Sequence, residues 1–197
     1  RSSAASDVYK RQVKPRWDEC DYAISFMKGD IPYPECHLRM PCWMNNGPVR
    51  RTGKIEQYSK DRKSLLSRHT RFCSFVYSNG NAPERIHFLR LLSRYKHVDC
   101  GGMVMNNMGS CVRDKIAFCS SCKFTIAFEN YPAAGYVTEK LFDSLAALSL
   151  PIYWGAPDAG MEANPSRFVN AADFSTPEAL AEYVIRLDQD EDLYLSY

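Results

Sequence analysis

The sequence predicts an α/β fold, a Rossmann-like parallel sheet flanked by helices. Short apolar, β-branched and aromatic runs recur as buried-strand signals at "FCSFVYS" (72–78), "KFTIAF" (123–128) and "LPIYWG" (150–155). Segments with helical spacing of apolar residues separate them. The junctions carry helix-start chemistry: Pro83 after "NGNA", Thr138 before "EKLFDSL" and Pro177 after "ST". Strands alternating with helices in this way imply βαβ units.

The elements follow in order. Residues 1–12, "RSSAASDVYKRQ", read as translated sequencing adapter of the kind left at metagenomic contig ends, and they are set aside from fold reasoning. Residues 13–69 read poorly as a domain. "CDYAISF" is a short strand, "DIPYPECHLRMPCWMNNGP" is loop-like through its Pro, Asn and Gly, and "KIEQYSKDRKSLLSRHTR" is a polar helical connector. From residue 70 the pattern sharpens. The strand 72–78 is followed by a helix over "ERIHFLRLLSRYK", with Ile86, Phe88, Leu89 and Leu92 at helical spacing. "HVDCGG" is a short strand, "VRDKIAFCSSC" a helix and "KFTIAF" a strand. "TEKLFDSLAAL" is a helix, "LPIYWG" and "RFVNAADF" are strands, and "STPEALAEYVIRLDQDEDLYLSY" is a capped helix. Residues 70–197 thus form one Rossmann-like domain.

Bulk properties exclude several classes. The 197-residue chain is 45% hydrophobic and 24% charged, an ordinary globular balance. Its net charge of +2 gives no basic field for nucleic acid. No apolar run has the length of a membrane span. Of the eight cysteines, only "CSSC" (Cys119 to Cys122) has CxxC spacing, and no second pair completes a zinc set. The thiols are expected to pack as small hydrophobes in a reducing compartment, with a thiol redox domain as the alternative. His37, His69, His87 and His97 show no ligand spacing, and "DQD" (188–190) lies in a terminal polar helix, so no metal site is expected.

Chemistry concentrates in two strand-to-helix loops, "SNGNAPER" and "ENYPAAGYVTEK". Right-handed crossovers bring such loops to one edge of the sheet, where open α/β sheets bind ligands. Lys140 falls in the first turn of its helix, where the dipole opposes it by roughly 0.3–1 kcal/mol. A bound anion removes that conflict. Arg85 repeats the pattern after Pro83, and a guanidinium can grip phosphate oxygens with two parallel hydrogen bonds. Two cations at adjacent helix starts imply a diphosphate. The Glu139 carboxylate suits a pair of sugar hydroxyls, such as a ribose. The competing reading makes Arg85 and Lys140 solvated surface charges. Dinucleotide and P-loop fingerprints do not occur.

The stretch "FENYPAAGYVTEKLFDSL…LPIYWGAP" resembles the signature of the α-1,3-fucosyltransferases, glycosyltransferase family 10. The resemblance runs through "FCSFVYSNGNAPER", "YKHVDCGG" and "NPSRFVNAADF", with a fainter match at "DYAISF" and "HLRMPCW". It implies the C-terminal half of a GT-B enzyme, in which residues 70–197 hold GDP-fucose and 13–69 are a remnant of the acceptor domain. By resemblance, Arg85 and Lys140 contact the donor diphosphate and stabilise the leaving group. Glu139 holds the ribose, Asn130 and Tyr136 lie near fucose and phosphates, and Ser78 and Asn79 line the nucleotide site. The implied reaction is inverting transfer of L-fucose to a GlcNAc-type hydroxyl of a glycan, of N-acetyllactosamine or lipopolysaccharide type, with GDP-fucose as donor and no cofactor. The family's general base is a glutamate ahead of the "DYAIS" strand. Glu19, in "WDECDY", does not match its motif, so the chain is expected to be a fragment that binds donor without transferring fucose. "HLRMPCW" resembles bacterial members, which implies a cytoplasmic or membrane-peripheral setting, with the Golgi lumen as the alternative. A non-catalytic diphosphate-binding module and a transferase using another nucleotide sugar are the competing functions.

Overall fold

A computed structural model of the chain describes residues 23–28, 34–46 and 62–197. The leading residues 1–12, Glu19 and residues 54–61 of the 54–71 connector lie outside those. The helices are α1 (Arg62–Arg68), α2 (Pro83–Leu92), α3 (Lys115–Cys119), α4 (Glu139–Ala146), α5 (Pro177–Gln189) and α6 (Glu191–Leu195). Two short strands, β1 (Ala23–Ser25) and β2 (His37–Arg39), pair in parallel. The main sheet holds β3 (Arg71–Phe75), β4 (Val98–Cys100), β5 (Cys122–Phe128), β6 (Leu150–Trp154) and β7 (Val169–Asn170). Its five strands run in the order β4-β3-β5-β6-β7, all parallel. The α/β fold expected from the sequence is therefore the one observed.

Alternation along β5 and β6 sorts the core onto two faces. Phe124, Ile126 and Ile152 pack with Phe88 and Leu92 of α2 and with Leu180, Val184 and Leu187 of α5. Ala127 and Tyr153, the intervening residues, pack instead with Leu141 of α4 and with Phe168. Each fully buried Phe, Ile or Leu contributes about 1.5–3 kcal/mol, so the sheet is held from both sides.

Several sequence-based boundaries are corrected. The first main strand ends at Phe75, not Ser78, because the Tyr77 carbonyl is taken by Val104 N–H from the loop after β4 (3.0 Å). Gly102 permits that approach: a Cβ there would lie 2.3 Å from the Tyr77 backbone. "CSSC" is not the end of a helix, since α3 stops at Cys119 and Cys122 opens β5. "HLR" is a strand in a segment read as loop. "RFVNAADF" keeps only Val169–Asn170 as strand, between 3-10 turns capped by Asn164 and Asn170.

The β1–β2 segment docks on the main domain through charge. Lys28 Nζ meets Asp158 at 2.8 Å and Glu162 at 2.7 Å, and Arg39 also pairs with Glu162. The Trp43 indole donates to Glu162 (3.1 Å), and its ring stacks on Phe142 of α4 with centroids 4.4 Å apart.

Candidate active site

The strand order defines a switch point. From β3 the chain moves outward to β4, then returns across β3 to β5. The loops leaving the carboxyl ends of β3 and β5 therefore flank a crevice, the usual ligand position in open α/β sheets. Ser78 and Asn79 lie on the first loop and Arg85 just beyond it in α2. Asn130 and Tyr136 lie on the second, and Glu139 and Lys140 open α4.

Arg85 is fully buried, which overturns the solvated reading. Its Nε and Nη2 both donate to the Phe128 carbonyl, at 3.2 and 2.8 Å. Nη2 also donates to Asn130 Oδ1 (2.6 Å), and Nη1 to the Asn79 carbonyl (3.3 Å). The guanidinium lies over the Tyr77 ring, 3.8 Å from its centroid. Tyr77 in turn donates its hydroxyl to the Ile126 and Phe128 carbonyls. A guanidinium has five N–H donors, and these contacts leave one Nη1 hydrogen for a further acceptor. Burial pulls the Arg85 pKa down, while Tyr77, Glu129, Tyr136 and Glu139 favour its charge.

Lys140 is organised by the helix cap. Thr138 caps α4 and donates its hydroxyl to Glu129, whose side chain is fully buried. Lys140 Nζ donates to Thr138 Oγ1 (2.9 Å) and pairs with Glu129 Oε2 (3.1 Å) and Glu139 Oε1 (3.5 Å). Phe128, Glu129 and Asn130 thus hold both cations: the first and third bind Arg85, the second binds Lys140. Tyr136 is half-buried, its ring 5.5 Å from that of Phe26. Asn79 folds back to accept from Asn81 N–H (2.9 Å), and Ser78 is exposed at the rim.

Glu129, Thr138 and Tyr77 were not singled out from the sequence as site residues. The available signal was Glu129 itself, an acidic residue at the end of an otherwise apolar strand. A further neighbour comes from the 34–46 segment. Burial first, then Glu129 and Glu139, push the Cys42 thiol up to about 11. The same segment braces the second loop: Trp43 N–H donates to the Val137 carbonyl (3.1 Å). Asp158 accepts from Gly135 N–H (2.8 Å).

The cysteines and acidic residues outside these loops have structural surroundings. Burial pushes Cys122 up to about 11 and raises Cys119, opposite to the depressed thiol a redox pair requires. In "DQD", Asp188 pairs with Lys96 and Lys123, and Asp190 caps α6. Among the described residues, no group of His, Cys, Asp and Glu has the arrangement of a metal site. No helix among them is long and apolar enough to cross a membrane.

Known proteins match this architecture. The model of glycosyltransferase family 10 (fucosyltransferase), C-terminal domain, matches residues 66–197. An α-(1,3)-fucosyltransferase of Helicobacter pylori is 31% identical over 209 aligned positions, covering 92% of this chain and 43% of that protein. A glycoprotein 3-α-L-fucosyltransferase of Drosophila melanogaster is 32% identical over 152 positions, covering 73% of this chain and 30% of its own length. A crystal structure of an α1,3-fucosyltransferase with GDP-fucose superposes with a TM-score of 0.76 at 30% identity, covering 93% of this chain and 62% of that one. The chain spans less than half the length of these curated relatives. It belongs to glycosyltransferase family 10, the fucosyltransferases, and its residues 66–197 are the part that carries that family's C-terminal domain.

Proposed function

We propose that the switch-point crevice binds GDP-fucose, and that the residues around it stabilise departing GDP. The observation that carries this reading is the anchoring of Arg85 and Lys140 on one tripeptide, Phe128–Asn130, between two ligand-facing loops. One relative of known structure is described with GDP-fucose, which fits the same ligand class.

In the reaction, an acceptor hydroxyl oxygen attacks the fucose anomeric carbon while the bond from that carbon to the β-phosphate oxygen breaks. The acceptor proton passes to a base. Attack from the face opposite the leaving group converts the β-linked donor into an α-linked product. Negative charge grows on the β-phosphate as GDP departs. Lys140 and the remaining Nη1 hydrogen of Arg85 are fixed donors for that charge and favour the transition state over the ground state. Glu139 accepts from the ribose hydroxyls. Asn130 and Tyr136 border fucose and phosphates, and Ser78 and Asn79 border the nucleotide.

The acceptor is a GlcNAc-type hydroxyl of an N-acetyllactosamine or lipopolysaccharide glycan, and no cofactor takes part. Glu19, the glutamate ahead of β1, stands in "WDECDY" and does not match the family's base motif, and on this reading the 197-residue chain binds donor without transferring fucose. The setting proposed with this reading is cytoplasmic or membrane-peripheral, in line with the likeness to a bacterial fucosyltransferase, with the Golgi lumen as the alternative. Calorimetry with GDP and GDP-fucose tests the site. Competitive binding of both is expected, together with no radiolabel transfer to N-acetyllactosamine. Absence of GDP binding overturns the donor site, and robust transfer overturns the inactivity.

A further inference from the structure

Glu129 anchors Lys140 but is given no role toward the ligand above. Its side chain is fully buried, yet it directly follows a strand that ends at the crevice. Oε1 accepts from Thr138 N–H (2.8 Å), and the Thr138 hydroxyl lies 2.9 and 2.8 Å from the two carboxylate oxygens. Gly155 forms the opposite wall: a Cβ there would come within 2.5 Å of Glu129 Cγ. The carboxylate is fixed on both sides. Among the described residues the cation within ion-pair reach of it is Lys140, at 3.1 Å.

A lysine side chain is flexible and strongly hydrated, and at a helix start the dipole drives its charge away. Left to itself, Lys140 extends into water. Here its ammonium rests on three acceptors, Thr138 Oγ1, Glu129 Oε2 and Glu139 Oε1. The longest contact, 3.5 Å, goes to Glu139, whose side chain is 28% exposed. The two shorter contacts come from groups buried behind it. An arriving oxyanion can replace Glu139 while Glu129 and Thr138 keep their hold.

We infer that Glu129 is a positioning residue: its caged carboxylate, set by the Thr138 cap and Gly155, holds the Lys140 ammonium at the start of α4 for a phosphate oxygen of the ligand. Glu139 occupies that place until the ligand arrives and is then released toward the ribose. The assignment rests on the donor-site reading above.

The test is a mutant cycle on the whole chain with GDP and guanosine as probes. Glu129→Gln keeps an oxygen for the Thr138 N–H and removes the charge that holds Lys140. It is expected to weaken GDP about tenfold or more, the scale of a charged hydrogen bond, and to change guanosine less than about twofold. In the Glu129→Gln background, Lys140→Met is expected to weaken GDP by less than about twofold further, because the lysine is already misplaced. The double variant also leaves no buried carboxylate without its lysine, which removes the cost that Lys140→Met alone incurs. If wild type fails to bind GDP, the donor-site reading falls and this assignment with it. If wild type binds and Glu129→Gln binds equally well, only the assignment falls. A further loss of about tenfold when Lys140→Met is added to Glu129→Gln likewise overturns it. Equal loss of GDP and guanosine marks a merely structural role and does the same.

Discussion

Arg85 Nη2 donates to Asn130 Oδ1 at 2.6 Å, joining the helix after β3 to the loop after β5 across the switch point. The same guanidinium closes on the Phe128 and Asn79 carbonyls. A lysine keeps the charge but cannot reach these acceptors in one planar fork. Arg85→Lys is therefore expected to destabilise the fold by roughly 1–3 kcal/mol, from buried acceptors left unpaired. Chemical denaturation checks it, and an unchanged midpoint refutes the bridging role.

Lys140 is asked for something different. Its head group is held at the helix start, and its proposed contribution is to charge developing on the leaving phosphate. In a fucose-transferring form of the enzyme, Lys140→Ala is expected to lower turnover by ~10²–10³, about 2.7–4 kcal/mol, the range for losing a main oxyanion donor. Steady-state kinetics with saturating GDP-fucose measures it. A loss under about threefold removes Lys140 from the chemistry.

The positions of these two cations in the chain were legible, but their surroundings were not. Helix starts are written locally, by Pro83 and by Thr138, so both loops and both first turns could be read from the sequence. A first-turn arginine looks the same whether it faces water or a strand end. Only the adjacency of β3 and β5 brings Phe128 and Asn130 to Arg85, and that adjacency spans more than forty residues of chain, as the separation of 43 between Arg85 and Phe128 records. Glu129 was hidden for the same reason, since its burial depends on Gly155 just past the end of the next strand. β2 is three residues long, too short for an alternation to register.

The Lys28–Asp158–Glu162 cluster predicts a pH dependence. Burial alone would raise the Asp158 carboxyl, but the Gly135 amide and Lys28 outweigh it and hold it below its ordinary value. Glu162 is likewise raised by burial and lowered further by Lys28, Trp43 and Arg39. Burial lowers Lys28, and the two carboxylates more than restore it. A carboxyl depressed by folding stabilises above its unfolded pKa, and that stability is lost as pH falls through the folded one. Docking of the β1–β2 segment is thus expected to weaken below about pH 4, near the ordinary carboxyl values. The Lys28 contribution is present below its unfolded pKa and is lost only as pH rises through a value above 10.5. Asp158→Asn with Glu162→Gln should flatten the acid limb of a stability–pH curve, and an unaltered limb assigns acid lability elsewhere.

Thiol labelling separates the structural reading of "CSSC" from a redox one. Reactivity follows the thiolate. With its pKa pushed up to about 11 by burial, Cys122 is ionised at roughly one part in ten thousand at pH 7. Cys119 and Cys73 are also raised and fully buried. Cys111 is exposed in the loop before α3. Iodoacetamide on the native chain should therefore modify Cys111 well before Cys119 or Cys122, with the order read by peptide mass spectrometry. Unfolding the chain removes the burial that raises these thiols and should level the rates. Fast labelling of Cys119 or Cys122 in the folded state, at or above the rate of Cys111, would require a depressed thiol that burial in this sheet cannot provide, and would reopen the redox alternative.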